Sequence, residues 1–313
     1  MSELISVIMS TYNEELEWVR KSINSILNQT YDKLEFIIIL DNPDNKSMKE
    51  LLLSLQDKDP RIKIVINEKN LGLVKSLNKA LKYCEGKYIA RMDADDISEK
   101  KRLYIQKKVL EKEKLDFVFT SMIIIDEEGK EINETDKTEL TYKEVMELLE
   151  KRNISNHPTW LVRKEVYENL NGYREIPYCE DYDFSLRALL NGYKIGKVNQ
   201  SLLRYRIRNN GISKTYSLEQ FLNSRGISKL YKTQQLLDEI LVSDLMNRTL
   251  ILATLKEKER FLVADKVYME GIKALRKRKA FEGTMKIICS FLTGKYYRIK
   301  NYDFILYWLK RKF

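Results

Sequence analysis

Histidine and cysteine are scarce in this sequence of 313 residues. His157 is the single histidine, which excludes a metal site built from several histidines. A divalent metal would therefore need oxygen ligands, and such ligands favour Mg²⁺ or Mn²⁺. The cysteines Cys84, Cys179 and Cys289 are odd in number and far apart along the chain. They indicate neither a disulfide framework nor a cysteine metal site, which is typical of the reducing cytosol.

Long apolar runs are also absent. No stretch of the sequence reaches the ~20 apolar residues that a membrane-spanning helix needs. The N-terminus has neither the basic region nor the cleavage site of a signal peptide, so we expect no such peptide. These absences predict a cytoplasmic protein that is either soluble or bound peripherally to a membrane.

The chain carries an excess of positive charge. The formal net charge is +10, and charged residues make up 33% of the chain. Hydrophobic residues make up 43%, so a sizeable core can form. A basic balance suits an anionic partner such as nucleic acid, an acidic lipid surface or a phosphorylated substrate. Charge alone leaves these three classes of partner open.

The first third of the chain repeats one pattern of an apolar run, a polar turn and an amphipathic helix. The apolar runs predict strands at residues 5–9, 36–40, 62–66 and 88–92. Continuous apolar strands that alternate with helices indicate a parallel sheet covered on both faces. Right-handed crossovers place the loops after these strands at one edge, where such sheets bind ligands. We expect this edge to carry Tyr12, Asp41, Asp44, Asn70 and Asp93.

The pattern changes beyond residue 115. Short strands are predicted at 117–119, 122–125, 159–162 and 202–207, with helices at 142–150 and 182–190. From about residue 216 the chain is helical and basic to its end. We predict an α/β fold, with a mixed, mainly parallel sheet flanked by helices in residues 1–215. A helical C-terminal appendage would occupy residues 216–313.

The acidic motif Asp93-Ala94-Asp95-Asp96 follows the fourth predicted strand. Three carboxylates crowded at a strand end repel one another unless a positive charge is present. A divalent metal that bridges diphosphate oxygens would supply this charge. The alternative interpretation is a solvated acidic turn in which Asp96 or Ser98 caps the next helix.

A second acidic motif, Glu180-Asp181-Tyr182-Asp183, opens a predicted helix. Capping and the helix dipole favour one or two acids at such a position without any function. Three acids beside aromatic residues in a basic chain favour a further role. We interpret the motif as a source of a catalytic base that faces the metal across a cleft.

These motifs resemble those of the family 2 glycosyltransferases, which have the Rossmann-like GT-A fold. The matching segments are 6–13, 36–41, 70–72, 93–96, 172–173 and 180–183, in order within residues 4–213. The pattern is most similar to bacterial exopolysaccharide and capsule transferases, including those of amylovoran biosynthesis. The resemblance implies an inverting transfer of sugar from a nucleotide diphosphate sugar, UDP-linked, to a glycan or lipid-linked acceptor. The product would belong to a cell-surface polysaccharide.

The resemblance also implies roles for single residues. Those expected to contact the nucleotide sugar are Thr11, Tyr12, Asn13, Asp41, Asn70 and Asp93, with Asp41 on the uracil ring. Asp95 would ligate Mn²⁺ or Mg²⁺. Asp181 would deprotonate the acceptor hydroxyl, supported by Glu180. His157 and Asp183 would lie on the acceptor side of the cleft.

One segment departs from the family pattern. Relatives often have a histidine ligand in a Tyr-Arg-x-His segment, whereas this chain has Tyr205-Arg206-Ile207-Arg208. Arg208 cannot ligate a metal, but a guanidinium can hold a diphosphate through two hydrogen bonds. Lys75 and Arg91 are close to the predicted edge of the sheet. They either oppose the diphosphate charge or merely flank their strands.

The C-terminal region combines aromatic and basic residues. Residues 295–313 contain six lysines and arginines and a single acid, and residues 273–279 form another basic run. Such segments suit an anionic membrane surface, here the inner face of the cell membrane. The alternative is a helical appendage that packs its apolar side on the catalytic domain.

Two other functions compete with the transferase. A nucleotidyltransferase would need a glycine-rich, basic phosphate loop, and residues 10–14 contain neither glycine nor lysine. A nucleic-acid-binding protein would need basic and aromatic residues interleaved on one face. Here the basic charge is diffuse or C-terminal and the predicted edge is acidic, so we expect no nucleic-acid partner.

Overall fold

The structure, a computed structural model, describes residues 3–208, residue 211 and residues 215–301. The chain divides into two compact units. The first comprises Met1–Ile176, Glu180–Arg208 and Tyr231–Gln234. The second comprises Pro177–Cys179, Asn209–Leu230 and Gln235–Phe313. The boundary after residue 215 stays a prediction about where two domains meet.

A mixed nine-stranded sheet runs through the first unit. Its strand order is β3-β2-β1-β4-β8-β6-β9-β5, and β7 pairs with β6. Strands β3, β2, β1 and β4 are parallel, whereas β8 is antiparallel to both β4 and β6. The strands are β1 (Ile5–Thr11), β2 (Leu34–Leu40), β3 (Ile62–Ile66), β4 (Tyr88–Arg91), β5 (Ile97–Ser98), β6 (Phe117–Ile125), β7 (Glu131–Glu134), β8 (Leu161–Arg163) and β9 (Ile195–Arg206).

Helices connect the parallel strands, as the alternating pattern predicts. In β2 the consecutive residues Ile37, Ile38 and Ile39 are all buried, so both faces of the sheet are covered. In the first helix, Val19, Ile23 and Ile26 recur at helical spacing and are buried. The helices of this unit are α1 (Leu16–Leu27), α2 (Lys46–Gln56), α3 (Leu73–Leu81), α4 (Arg102–Lys112), α5 (Tyr142–Leu149), α6 (Lys164–Asn169) and α7 (Glu180–Leu190), with a 3₁₀ turn at His157–Thr159.

The first four strands and the mixed, mainly parallel sheet confirm the predicted fold class. The antiparallel part of the sheet differs in detail from the expectation. The two short strands predicted between residues 117 and 125 form the single strand β6, and β9 begins earlier than predicted. Strands β5 and β7 were not predicted, because β5 has two residues and β7 is fully exposed and carries no apolar pattern.

The described part of the second unit is helical. Its helices are α8 (Ser217–Lys232), α9 (Glu239–Leu252), α10 (Leu255–Arg276) and α11 (Ala280–Thr293). Helices α10 and α11 approach closely where two glycines meet, because a Cβ on Gly271 would lie 2.9 Å from the Gly283 carbonyl oxygen. Within residues 3–208, 211 and 215–301, no helix is long and apolar enough to cross a bilayer. Of the basic segment 295–313, residues 302–313 lie outside the described residues.

Candidate active site

The carboxyl ends of β1, β2 and β4 lie side by side at one edge of the sheet. In the register of the sheet, Thr11 is opposite Leu40 and Ile8 is opposite Arg91. The chain continues this pairing past the strands, because the amide of Asp41 donates to the carbonyl of Thr11 at 2.8 Å. The polar residues that follow these three strands therefore share one edge, which is the location predicted from the alternation of strands and helices.

Tyr12 lies in the turn after β1, where its side chain is exposed to solvent and its backbone is held by hydrogen bonding. The Tyr12 side chain is 42% exposed, so its ring is free to stack on a base. The Glu14 carboxylate accepts hydrogen bonds from the Thr11 hydroxyl and the Tyr12 amide, both at 2.7 Å. The Asn13 side-chain oxygen accepts a hydrogen bond of 2.7 Å from Asn42. The structure thus gives Thr11 and Asn13 supporting contacts within the turn.

Asp41 organises the loop that follows β3. One carboxylate oxygen accepts hydrogen bonds from the Asn67 side chain at 2.7 Å and the Leu71 amide at 2.8 Å. The other accepts from the Gly72 amide at 2.9 Å. Gly72 has a φ of +81°, a backbone conformation that favours glycine. Asn70 also accepts a hydrogen bond from the Gly72 amide, at 2.9 Å.

The three acids of the motif after β4 have three different environments. Asp93 forms an ion pair with the buried guanidinium of Arg91. Asp95 forms an ion pair with Arg208, with 2.7 Å between Arg208 Nε and Asp95 Oδ2. Asp96 is fully buried, and its Oδ1 accepts a hydrogen bond of 2.9 Å from the Arg206 amide. The second oxygen of Asp96 is buried and has no hydrogen-bond partner among the described residues.

The surroundings of Asp95 fit a divalent metal. Burial and the neighbouring Asp93 raise the pKa of Asp95 to about 6, against the opposing effect of the Arg208 charge. Within the part of the chain that the structure describes, no three His, Cys, Asp or Glu side chains are grouped as a complete metal site. A divalent metal here would use one or two carboxylates and complete its shell with phosphate oxygens and water, as Mg²⁺ often does.

Glu180 and Asp181 begin helix α7, and both have raised pKa values. Burial and the adjacent Asp181 raise the pKa of Glu180 to about 8. Burial also raises the pKa of Asp181 to about 6, against the opposing effect of its hydrogen bonds. Those bonds come from the Tyr182 amide at 2.7 Å and from the Asn153 side chain at 2.8 Å. Both carboxyls are therefore harder to ionise than free ones, and Asp181 gives up its proton more readily than Glu180.

The two acidic motifs interact across the site. The charge of Asp93 raises the pKa of both Glu180 and Asp181, and the charge of Arg91 lowers the pKa of Glu180. Arg91 is only 1% exposed, so its charge influences Glu180 from a buried position. Because the guanidinium is buried, Arg91 could oppose the charge of a diphosphate only without direct contact, and this role stays a prediction. Its position suits it to hold Asp93 in place.

The structure places the remaining predicted residues around this centre. The Nδ1 atom of His157 lies 3.9 Å from a Glu180 oxygen, and Nε2 is 2.9 Å from the Tyr173 hydroxyl. Burial and the charge of Arg91 hold the pKa of His157 well below its usual range, so the ring is neutral. Lys75 is exposed on the first turn of α3 and pairs with Glu175 at 3.2 Å.

Asp183 differs from its expected role. Its carboxylate is fully buried and is bound by two arginines, Arg174 and Arg187. The Arg187 guanidinium in turn donates to the carbonyl oxygens of Leu170 and Gly172, at 2.8 and 2.9 Å. A carboxylate in this position cannot reach an acceptor sugar, because both of its oxygens are enclosed. Asp183 instead holds the turn that leads to Tyr173.

Sequence comparison identifies the family. The model of glycosyl transferase family 2 matches residues 6–171. The chain belongs to glycosyltransferase family 2. It is 40% identical over 207 residues to an uncharacterised glycosyltransferase of Methanocaldococcus jannaschii, covering 66% of this chain and 71% of that protein. It is 34% identical over 235 residues to the O-antigen biosynthesis glycosyltransferase WbnJ of Escherichia coli, covering 71% and 91%.

The expected likeness to amylovoran enzymes is also confirmed. This glycosyltransferase is 29% identical over 214 residues to the amylovoran biosynthesis glycosyltransferase AmsE of Erwinia amylovora, covering 67% of this chain and 79% of AmsE. The family assignment decides against the two alternatives, a nucleotidyltransferase and a nucleic-acid-binding protein without catalysis.

Solved structures confirm the GT-A fold of this glycosyltransferase. S. aureus TarS 1–349 in complex with UDP-GlcNAc has a TM-score of 0.61 at 17% identity, covering 95% of this chain and 92% of that one. The mannosyltransferase PcManGT of Pyrobaculum calidifontis, in complex with GDP-Man and Mn²⁺, has a TM-score of 0.59 at 16% identity, covering 95% and 86%. At this level of identity the likeness concerns the fold alone.

The glycosyltransferase site also contains residues that the sequence analysis did not single out. Glu14 holds the turn after β1, and Asn153 binds the Asp181 carboxylate. Arg206 holds the acidic motif from β9, because its Nε donates to the carbonyl of Asp95 at 2.9 Å. Glu14 is adjacent to a predicted residue and was within reach of sequence reasoning. The contact between Asn153 and Asp181 joins residues 28 positions apart, and no local pattern indicates it.

Proposed function

We propose that this glycosyltransferase moves a sugar from a UDP-linked donor to a hydroxyl group of a glycan or lipid-linked acceptor, with inversion at the anomeric carbon. The product would belong to a cell-surface polysaccharide, a proposal supported by the similarity to WbnJ, an O-antigen biosynthesis glycosyltransferase, and to AmsE, an amylovoran biosynthesis glycosyltransferase. The observation that carries the proposal is the placement of Glu180 and Asp181 within range of the Asp93 charge, which raises the pKa of both. This placement supports a single site for the base and for the leaving group.

Asp181 is proposed as the general base. The pKa of its carboxyl is raised to about 6, below that of Glu180, and two hydrogen bonds fix its orientation. It would accept the proton of the acceptor hydroxyl as that oxygen attacks the anomeric carbon, a contribution of about 10²–10⁴-fold in rate. Glu180, whose pKa burial and the adjacent Asp181 raise to about 8, would donate a hydrogen bond to the acceptor in its protonated form.

The leaving group is proposed to lie against the acidic motif after β4. Asp95 would hold a divalent metal, Mn²⁺ or Mg²⁺, and Arg208 would bind the diphosphate. When bound, the metal would supply positive charge to the departing nucleoside diphosphate. Asp93, held by Arg91, would bind the ribose or the sugar. Lys75 is exposed at the start of α3 and would contribute a positive charge on the same side.

The nucleotide is proposed to bind in the turn after β1 and the loop after β3. Tyr12 presents an exposed ring for stacking, with Thr11 and Asn13 beside it. Asp41 would meet the uracil ring through the oxygen that accepts the Gly72 amide, since that oxygen has fewer partners. Asn70 would complete the loop. UDP is favoured because TarS binds UDP-GlcNAc in the same fold, although PcManGT binds GDP-Man.

The second unit is proposed to bind the anionic inner face of the cell membrane. On α11, the side chains of Phe281, Met285, Ile288 and Leu292 are 44–82% exposed and recur at spacings that place them on one helix face. The turn between α10 and α11 carries the basic residues 277–279. An exposed apolar stripe beside a basic turn suits insertion among anionic lipid headgroups. Such binding would bring a lipid-linked acceptor close to the enzyme.

A panel of nucleotide sugars tests the proposal. Thermal unfolding is measured with UDP-, GDP-, dTDP- and CMP-sugars, each with and without Mn²⁺. We expect UDP-sugars to raise the melting temperature most, and Mn²⁺ to increase the effect. If only GDP-sugars stabilise the protein, the donor nucleotide is GDP and not UDP, and the rest of the proposal stands. If no nucleotide sugar stabilises the protein, the proposed donor site is wrong. The anomeric configuration of the product, read by NMR, tests inversion.

A further inference from the structure

Arg208 forms an ion pair with Asp95, the residue whose carboxylate is expected to ligate the metal. Its Nε lies 2.7 Å from Asp95 Oδ2, and its NH1 atom lies 3.9 Å from Glu14 Oε1, too far for a hydrogen bond. The contact joins a positive side chain to a carboxylate oxygen that a divalent cation would need. A guanidinium and a metal ion cannot share this oxygen without strong repulsion between like charges.

The arginines around the acidic motif differ in accessibility. Arg91 and Arg206 are 1% and 4% exposed, and both have partners within the motif. The Arg208 side chain is 31% exposed and follows the last residue of β9 by two positions. Arg91 and Arg206 are thus built into the site, whereas Arg208 reaches it from the surface. Of the three, Arg208 has the most freedom to change its partner.

We propose that Arg208 is an exchangeable counter-cation for Asp95. Without a nucleotide sugar, its guanidinium neutralises the carboxylate. When a diphosphate binds, the guanidinium turns to the phosphate oxygens and leaves Asp95 to the divalent metal. A diphosphate attracts the guanidinium more strongly than one carboxylate does because it carries more negative charge, and it too can accept two parallel hydrogen bonds from the planar fork. The inference rests on the proposed function of the site.

The exchange couples two ligands. Metal binding to the nucleotide-free protein has to displace Arg208, so it is weak. A nucleoside diphosphate removes this competitor, and by thermodynamic reciprocity the metal strengthens nucleotide binding by the same factor. Metal bound directly to the diphosphate would also produce such coupling. The decisive quantity is therefore the metal affinity of the nucleotide-free protein with and without Arg208.

The experiment measures Mn²⁺ binding by electron paramagnetic resonance of the free ion, at about pH 8, with no nucleotide and with saturating UDP. Arg208→Gln removes the competitor and is expected to tighten Mn²⁺ binding without UDP by roughly fivefold or more. The same variant should show a smaller effect of UDP on Mn²⁺ affinity than the wild type. Arg208→Lys retains the charge and should bind Mn²⁺ as weakly as the wild type does.

Arg204→Gln is the matched control. Arg204 lies on β9, four positions before Arg208, and is 33% exposed, but it pairs with Glu99 and Glu131 outside the site, so its loss should leave Mn²⁺ binding unchanged. If UDP and Mn²⁺ bind the wild type but Arg208→Gln does not tighten Mn²⁺ in the absence of UDP, the exchange is wrong and the proposed function stands. If neither UDP nor Mn²⁺ binds the wild type, both are wrong.

Discussion

The side-chain amide of Asn153 donates a hydrogen bond of 2.8 Å to Oδ2 of Asp181. This bond lowers the pKa of Asp181 and opposes the larger effect of burial, which raises it. Asn153 is itself held in place, because its side-chain oxygen accepts hydrogen bonds from the Ser155 amide at 3.1 Å and the Ser155 hydroxyl at 2.9 Å. Asn153 is therefore a positioning residue that sets both the orientation and the protonation of the proposed base.

Asn153→Ala is expected to move the pH dependence of transfer. A base with a pKa of about 6 makes the rate fall as the pH drops below about 6. Loss of the hydrogen bond raises this pKa, so the acidic limb of the kcat profile should shift to higher pH. The measurement is kcat against pH for the wild type, Asn153→Ala and the exposed control Asn133→Ala. A lower rate with an unmoved acidic limb would show that Asn153 acts only on the fold.

Asp181→Asn is expected to abolish transfer while the nucleotide sugar still binds. The amide has nearly the shape of the carboxylate but cannot accept the acceptor's proton, so kcat should fall by about 10²–10⁴-fold. Isothermal titration with the nucleotide sugar should give an affinity close to that of the wild type. Asp32→Asn, an exposed substitution before β2, serves as the control. A large loss of donor affinity would remove Asp181 from the role of base.

Asp95→Ala is expected to abolish metal-dependent transfer without loss of folding. The substitution removes the only proposed metal ligand of the motif and leaves Arg208 without its partner on that residue. Mn²⁺ should no longer increase the thermal stabilisation by a nucleotide sugar, whereas circular dichroism should be unchanged. Asp32→Ala should retain the effect of Mn²⁺. Turnover that still responds to Mn²⁺ in Asp95→Ala would place the metal elsewhere.

Asp183→Asn is expected to destabilise the protein. The substitution removes the carboxylate charge that Asp183 presents to Arg174 and to the buried guanidinium of Arg187. Removal of one member of a buried ion pair costs about 3 kcal/mol or more. Urea denaturation should show this loss in the free energy of unfolding. Glu113→Gln, which breaks an exposed pair with Lys112, should change it little. An unchanged midpoint for Asp183→Asn would contradict the structural role.

The exposed face of α11 is expected to bind anionic membranes. Phe281→Ser combined with Leu292→Ser should weaken binding to phosphatidylglycerol vesicles roughly tenfold or more, because each substitution removes a large apolar side chain from the membrane contact. Flotation with phosphatidylcholine vesicles, which are zwitterionic and carry no net charge, gives the reference. Ile132→Ser, which alters an exposed residue of the first unit, is the control. Equal binding of the double variant and the wild type would remove α11 from the membrane contact.

The sequence by itself determined the parallel half of the sheet and the edge where the site lies. Uninterrupted apolar strands such as residues 36–40 are stable only when both faces are covered, and the helices between them force the strand ends to one side. The positions of Tyr12, Asp41 and Asp93 at that edge follow from this topology. Short or exposed strands such as β5 and β7 could not be predicted in this way, because they carry no apolar pattern.

Only the tertiary structure decided which acidic side chain each arginine pairs with. Asp181 and Asp183 are two positions apart on the first turn of α7 and therefore point in different directions. One is poised beside Asn153, whereas the other is enclosed by two arginines. Likewise the sequence shows Arg208 in the place of a histidine but not that its guanidinium lies on Asp95. Such pairs join distant parts of the chain, and packing rather than local pattern selects them.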